Sequence, residues 1–217
     1  MEEVSMKKQI FTYTAIVASV FFGYSSDLKG SDYISTKTGT TYTYQRVEAN
    51  DNDDFLIETK VKDCNSDKTL CKYVSKIKHP TEKNFDELES DYAYDIKKDG
   101  AVYIKYLNSE KETLLLPANI EFNKVRNDNG TNATGKFTNS YEFTKEIPKI
   151  DINGTSYKNC IELKTKSSIK IDNKPVDTQS DEIYCKGIGL VKENFKETHG
   201  YNSPIVYKSI LSSVKKP

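Results

Sequence analysis

The sequence predicts a mainly β protein: an antiparallel curved sheet, half-barrel or sandwich-like, with at most one or two short helices. Three observations carry this expectation. The aromatic set is 15 Tyr and 9 Phe with no Trp, side chains that suit a half-buried pleated surface. Period-two alternation recurs in short blocks along most of the chain, the spacing that sends successive side chains to opposite faces of a strand. Turn residues punctuate those blocks at short intervals, and no Pro-, Ser- or Gly-rich linker divides them, so a single β-rich domain over 26–217 is expected.

The first 25 residues read differently. Met6-Lys7-Lys8 is a short positive segment, Ile10 to Phe22 is largely apolar, and Gly23-Tyr24-Ser25 supplies small residues, the pattern of a secretory signal peptide. Met1–Ser5 then reads as an upstream extension of a start at Met6. A membrane anchor is the competing reading, but about thirteen residues rise only about 20 Å as a helix, short of the roughly 30 Å hydrocarbon core. Gly23 to Ser26 contains no Cys, so lipid attachment is not expected. The mature domain is expected to be periplasmic or secreted, with no stable membrane anchor after cleavage.

From Thr38 the strands follow one another. Thr41 to Val47 carries Tyr42 and Tyr44, Phe55 to Val61 carries Phe55, Ile57 and Val61, and Lys72 to Lys78 comes next. Thr81 to Ser90 offers a capping Thr, early acids, and Phe85 and Leu88 three apart, which predicts one short helix. Asp91 to Ile96, then Lys98-Asp99-Gly100, then Val102 to Tyr106 is a hairpin by its Asp-Gly turn and flanking alternation. The second half continues with Phe137 to Thr144, Ile147 to Ile152, an Asn153-Gly154 turn, Tyr157 to Lys164, Ile169 to Ile171, an Asp172-Asn173 turn and Glu182 to Cys185. Gly187-Ile188-Gly189-Leu190-Val191-Lys192 reads as a tight bend into another strand, and Ile205 to Leu211 is the last. Gly39 precedes Cys64 by the same interval as Gly135 precedes Cys160, which suggests two similar halves, 38–112 and 113–212.

Four cysteines, Cys64, Cys71, Cys160 and Cys185, in an exported chain read as two disulfides. Cys64 and Cys71 flank Asn65-Ser66-Asp67, which is turn chemistry, whereas Cys160 and Cys185 lie in alternating segments that suit cross-strand neighbours. The longer loop is worth about 3 kcal/mol by chain entropy. No Cys-x-x-Cys knuckle is present, and His79 and His199 have no sequence-adjacent partner ligand, so neither a metal site nor a cofactor is expected. Lys plus Arg and Asp plus Glu both total 32, which leaves no basic field for nucleic acid. Arg46 and Arg126 are the only arginines, so a cluster of bidentate phosphate contacts is hard to build.

Several segments resemble a known group. Gly39 to Tyr44, Leu116-Pro117-Ala118, Gly154 to Ile161, and Tyr184-Cys185-Lys186-Gly187-Ile188-Gly189-Leu190-Val191-Lys192 are similar to a loose set of uncharacterised bacterial exported envelope proteins, many of them lipoproteins. In that set a glycine-aromatic strand opens each half and a Gly-x-Gly-Leu-Val strand closes the domain. The chain departs from it in lacking a lipid-attachment Cys and in carrying Tyr where Trp is common. A more distant likeness is to the curved sheets of periplasmic lipoprotein and lipid carriers, an analogy of fold. The resemblance implies an envelope role and brings no activity with it.

Candidate chemistry is sparse. Nucleophilic catalysis needs a base beside the nucleophile, and only His79 and His199 are available. His79 precedes Pro80 and His199 precedes Gly200, positions of ordinary loop histidines. Carboxylate pairs such as Asp53 with Asp54 or Glu87 with Glu89 read as solvated surface. Asn50-Asp51-Asn52-Asp53-Asp54 has dense oxygen ligands yet lacks the Gly and terminal Glu of an EF-hand, so it reads as a hairpin loop before it reads as a cation site. The triplets at Asn129, Asn132 and Asn153 match glycan acceptors, though an Asn-Gly turn already explains the last. Tyr42, Tyr44, Tyr92, Tyr94, Tyr103 and Tyr106 fall in strands as core or cross-strand pairs, and a subset lining a concave face suits an apolar or sugar ligand. No catalytic residue is assigned. The expectation is a noncatalytic exported protein that binds an apolar ligand or an envelope protein through its curved sheet, the alternative a hydrolase using His79 or His199 with loop carboxylates.

Overall fold

The computed structural model of the protein describes residues 28–49, 54–79, 81–87, 91–106, 112–132, 135–171, 174–199 and 203–217. The expected signal peptide over 1–25, most of the expected acidic loop at 50–54, Glu89, the expected turn at Asp172-Asn173 and the rest of the candidate glycan triplet that begins at Asn132 lie outside the described residues. Among the described residues no helix is long and apolar enough to cross a membrane.

Thirteen strands form one antiparallel sheet: β1 (Thr41–Glu48), β2 (Asp54–Cys64), β3 (Leu70–Lys78), β4 (Asp86–Glu87), β5 (Tyr92–Ile96), β6 (Val102–Tyr106), β7 (Glu112–Leu116), β8 (Arg126–Asn132), β9 (Gly135–Ile152), β10 (Thr155–Ile171), β11 (Lys174–Cys185), β12 (Gly189–His199) and β13 (Ile205–Lys215). A 3-10 turn, Gly30–Tyr33, precedes them. The order across the sheet is β7-β6-β5-β3-β2-β1-β13-β12-β11-β10-β9-β8, with β4 attached to β3 off this path. Two meanders are therefore joined where the first strand pairs with the last. Each starts or ends at that central seam, so the sheet edges are β7 and β8.

The sheet must curl. β6 and β10 stand eight strand spacings apart, about 38 Å if the sheet were flat. Yet Val102 of β6 shares one buried cluster with Ile161 and Leu163 of β10 and Phe143 of β9. Tyr33 and Ile34 fill the middle of that cluster, because the segment before β1 runs across the curl as a strap. Its backbone is tied at both sides: Gly30 N–H donates to Pro117 O at 3.0 Å, Ser31 N–H to Gly100 O at 2.9 Å, and Gly187 N–H to Asp32 O at 2.7 Å. A second buried cluster gathers Tyr42, Val61, Cys71 and Tyr73 with Tyr157, Cys160, Cys185, Val191 and Leu211. The tip of the long β9–β10 hairpin reaches it, where the Asn153 side-chain amide donates to Leu211 O at 3.3 Å. Asn153 and Gly154 both have positive φ, 47° and 78°, the pair of left-handed residues that a two-residue hairpin turn requires.

The expected helix over Thr81–Ser90 is not formed. Its described part is turn followed by β4, which pairs Glu87 with Lys76 and Asp86 with Ile77. A short isolated helix is marginal because its nucleus is costly, and the edge of β3 offers ladder bonds instead. Paired blocks also merge: 137–144 and 147–152 are one strand, β9, with a register shift opposite Glu162/Leu163 of β10. β7 and β8 were not expected as strands, and both are edges.

Candidate functional site

Alternation along three strands builds most of one cavity. On β1 the residues two apart, Tyr42, Tyr44 and Arg46, share a face, and so do Ile57 and Thr59 on β2 and Tyr92 and Tyr94 on β5. With Tyr73 of β3, Tyr184 of β11 and Glu193 of β12, they line a cavity of about 180 Å³ beside the strap residues Ile34 and Ser35. The curl is what brings β5 and β11 to the same space.

The rings pack closely on one side. Tyr73 and Tyr92 are stacked with centroids 5.2 Å apart and planes within 1°, and Tyr94 leans on both at 4.6 and 5.2 Å. Three hydroxyls are committed to the protein: Tyr44 donates to Leu190 O at 3.0 Å, Tyr73 to Ser35 O, and Tyr184 to Glu182 Oε2 at 2.7 Å. Burial pushes the hydroxyls of Tyr44, Tyr73, Tyr92 and Tyr184 far above the usual phenol range, and that of Tyr94 up to about 12. They stay neutral in water at any physiological pH, and what they leave to a guest is chiefly their ring faces.

The opposite wall is charged. Arg46 and Glu193 line it, and Glu182 of β11, outside the lining, is the direct cross-strand partner of Glu193 on β12. Burial raises the Glu182 carboxyl above its ordinary range, partly offset by hydrogen bonds from Ser180 and Tyr184. Burial first, and the neighbouring Glu182 second, push Glu193 up to about 7, against the pull of Arg46 and of the Tyr207 hydroxyl at 3.4 Å. The Arg46 guanidinium lies 3.7 Å over the Tyr207 ring, which itself stacks on Phe195 at 4.7 Å. Arg46 Nε is buried with no hydrogen-bond partner.

The structure pairs Cys64 with Cys71 across β2 and β3, and Cys160 with Cys185 across β10 and β11, each pair in direct register and bonded. No protein-family model and no curated protein sequence matches the chain. Solved structures do. The chain is similar in fold to a candidate lipoprotein from Parabacteroides distasonis, with a TM-score of 0.60 and 15% identity, over 84% of this chain and 98% of that one. A candidate exported protein with a YmcC-like fold from Bacteroides fragilis aligns at a TM-score of 0.48 and 12% identity, over 85% and 99% of the two chains. The first likeness shows that nearly all of the lipoprotein's chain has a counterpart in this sheet.

Of the sequence-predicted tyrosines, Tyr42, Tyr44, Tyr92 and Tyr94 meet at the cavity. Tyr106 does not and is 46% exposed, and Tyr103 sits beside Lys97 instead. His79 is at the end of β3, with Nδ1 2.6 Å from Thr81 Oγ1 and its ring edge-on to Phe55. His199 closes β12 against the Glu197 carboxylate. Neither histidine lines the cavity. Among the described residues no three His, Cys, Asp or Glu side chains group as a metal site. Sequence reasoning missed Arg46, Tyr73, Tyr184 and Glu193 as site residues. The signal was present only as shared parity, Tyr42-x-Tyr44-x-Arg46 and Ser180-x-Glu182-x-Tyr184, without anything to say which strands face one another.

Proposed function

We propose that the protein is a noncatalytic, exported bacterial envelope protein that holds a small apolar ligand in its tyrosine-lined cavity. The cavity carries this reading: aromatic faces from β3 and β5 oppose a wall with two charged side chains, which is the usual composition of a ligand pocket, apolar lining with few polar groups. At about 180 Å³ it is below the roughly 300–1,000 Å³ of drug-sized sites and close to the ~150 Å³ that accommodates benzene in an engineered core. One ring or a short branched chain fits, and a full acyl chain does not. Export is supported by the leader pattern of the first 25 residues, by two bonded cysteine pairs, which persist in oxidising compartments, and by a lipoprotein of the same fold.

Native mass spectrometry of the protein isolated from the periplasm of an expressing bacterium tests it. The expected spectrum shows a chain four hydrogens lighter than the reduced form, with an organic adduct lost on denaturation. A chain with free thiols would sink the export reading. An oxidised chain that carries no adduct and takes up no small aromatic compound would sink the binding reading.

A further inference from the structure

We propose that the ligand of this cavity is a small carboxylic acid with an apolar body, whose carboxylate is held by Arg46. The inference rests on the cavity being a binding site and adds the chemical class of its guest. It starts from an orphan. Two buried side-chain polar atoms among the described residues have no hydrogen-bond partner, Thr40 Oγ1 and Arg46 Nε, and of the two residues only Arg46, whose guanidinium lies over the face of Tyr207, lines the cavity. A buried donor left unpaired carries a desolvation cost, and an acceptor brought in by a guest recovers it. A guanidinium also offers its donors as a planar fork that a carboxylate matches with two bonds.

The rest of the lining agrees. The hydroxyls of Tyr44, Tyr73 and Tyr184 already donate to protein oxygens, so the tyrosines present faces to an apolar body and leave the charged end to Arg46. An organic cation would also find ring faces attractive, but it would meet the Arg46 guanidinium in the same small space. Glu193 is the counterweight. It faces Arg46 and Tyr44 from β1, Glu182 and Tyr184 from β11, and Tyr207 from β13. A carboxylate entering beside it adds a second negative neighbour, so Glu193 takes up a proton as the acid binds. Because the empty site titrates at about 7, affinity falls as pH rises through neutrality.

Three probes of one shape separate the possibilities: benzoate, benzamide and benzylamine, titrated calorimetrically into the mature protein. Benzoate is expected to bind at least about tenfold tighter than benzamide, with benzylamine weakest, and to lose about tenfold between pH 6 and pH 8. Its heat should depend on the ionisation enthalpy of the buffer, with net proton uptake near pH 7.5. Arg46→Gln is expected to abolish the preference for benzoate over benzamide, and Glu193→Gln to flatten the pH dependence. The wild-type comparison decides the matter even where a variant does not fold. Benzamide or benzylamine binding as well as benzoate overturns the acid preference while leaving the cavity a binding site. Binding of none of the three overturns the cavity reading along with it, and benzoate binding without proton uptake overturns the role of Glu193.

Discussion

Glu193 links the chemistry of the cavity to the stability of the fold. Its carboxyl titrates near 7 in the folded chain and near 4.3 when unfolded. Between those values the folded state holds a proton that the unfolded state has lost, so stability is highest below the unfolded value and falls as pH rises through the folded one. The ceiling on that loss is about 4 kcal/mol. Glu193→Gln, which is neutral at every pH, should therefore stabilise the protein at pH 8 by about 1–3 kcal/mol and change little at pH 4, as read from urea midpoints at the two pH values. A second residue-scale prediction concerns Gly30. A Cβ there would lie 2.7 Å from both Leu116 Cβ and Pro117 O, with Leu116 fully buried. Gly30→Ala should cost about 1–3 kcal/mol by overpacking and loosen the strap. At Gly154 nothing lies within 4 Å of the added Cβ, and only its φ of 78° resists substitution, so Gly154→Ala should cost about 1 kcal/mol. No measurable cost of Gly30→Ala in urea unfolding would show that the strap contact gives way to a Cβ.

At the scale of elements, the two disulfides stand in different surroundings. Cys160 and Cys185 are both essentially sealed, whereas Cys64 is half-buried opposite a fully buried Cys71. Limited reductant, followed by alkylation and mass spectrometry, should open Cys64–Cys71 first in the native state. Replacing each pair by Ala should cost about 2 kcal/mol for the 7-residue separation and about 3 kcal/mol for the 25-residue one. Alternation made most strands legible: Tyr42 and Tyr44, or Val102 to Tyr106 after an Asp-Gly turn, leave little doubt about a pleated surface. It failed where burial is one-sided or absent. Leu114 to Leu116 is a run without alternation, and Arg126 to Asn132 is polar with an Asn-Gly inside it, turn chemistry by composition. Both become strands, β7 and β8, because a neighbour offers a ladder edge, a tertiary cause with no local trace. The helix expected over Thr81–Ser90 gave way to β4 for the same reason.

For the whole molecule, the decisive event is the pairing of β1 with β13, which curls two meanders around a common interior. The sequence contains no direct statement of that pairing, and the site depends on it. Tyr94 comes from the first meander and Tyr184 from the second, and they meet at one cavity only because the sheet closes far enough to bring β5 toward β11. The spacing pattern that suggests two halves does not say whether they share a core, and both buried clusters draw residues from both meanders, with Tyr94 packed against each cluster. The chain should therefore unfold as one unit. Val61 is fully buried on β2 in the first meander, and Val61→Ala is expected to cost about 2–3 kcal/mol by cavity formation. Native-state hydrogen exchange gives the test, because the most protected amides report global opening. If the meanders share their cores, the slowest amides of β10, several strands away from the substitution, lose protection by the same factor as those of β2. Unchanged protection in β10 beside a loss in β2 would mean that the two meanders open separately, and the cavity between them would then be a mobile junction instead of a preformed site.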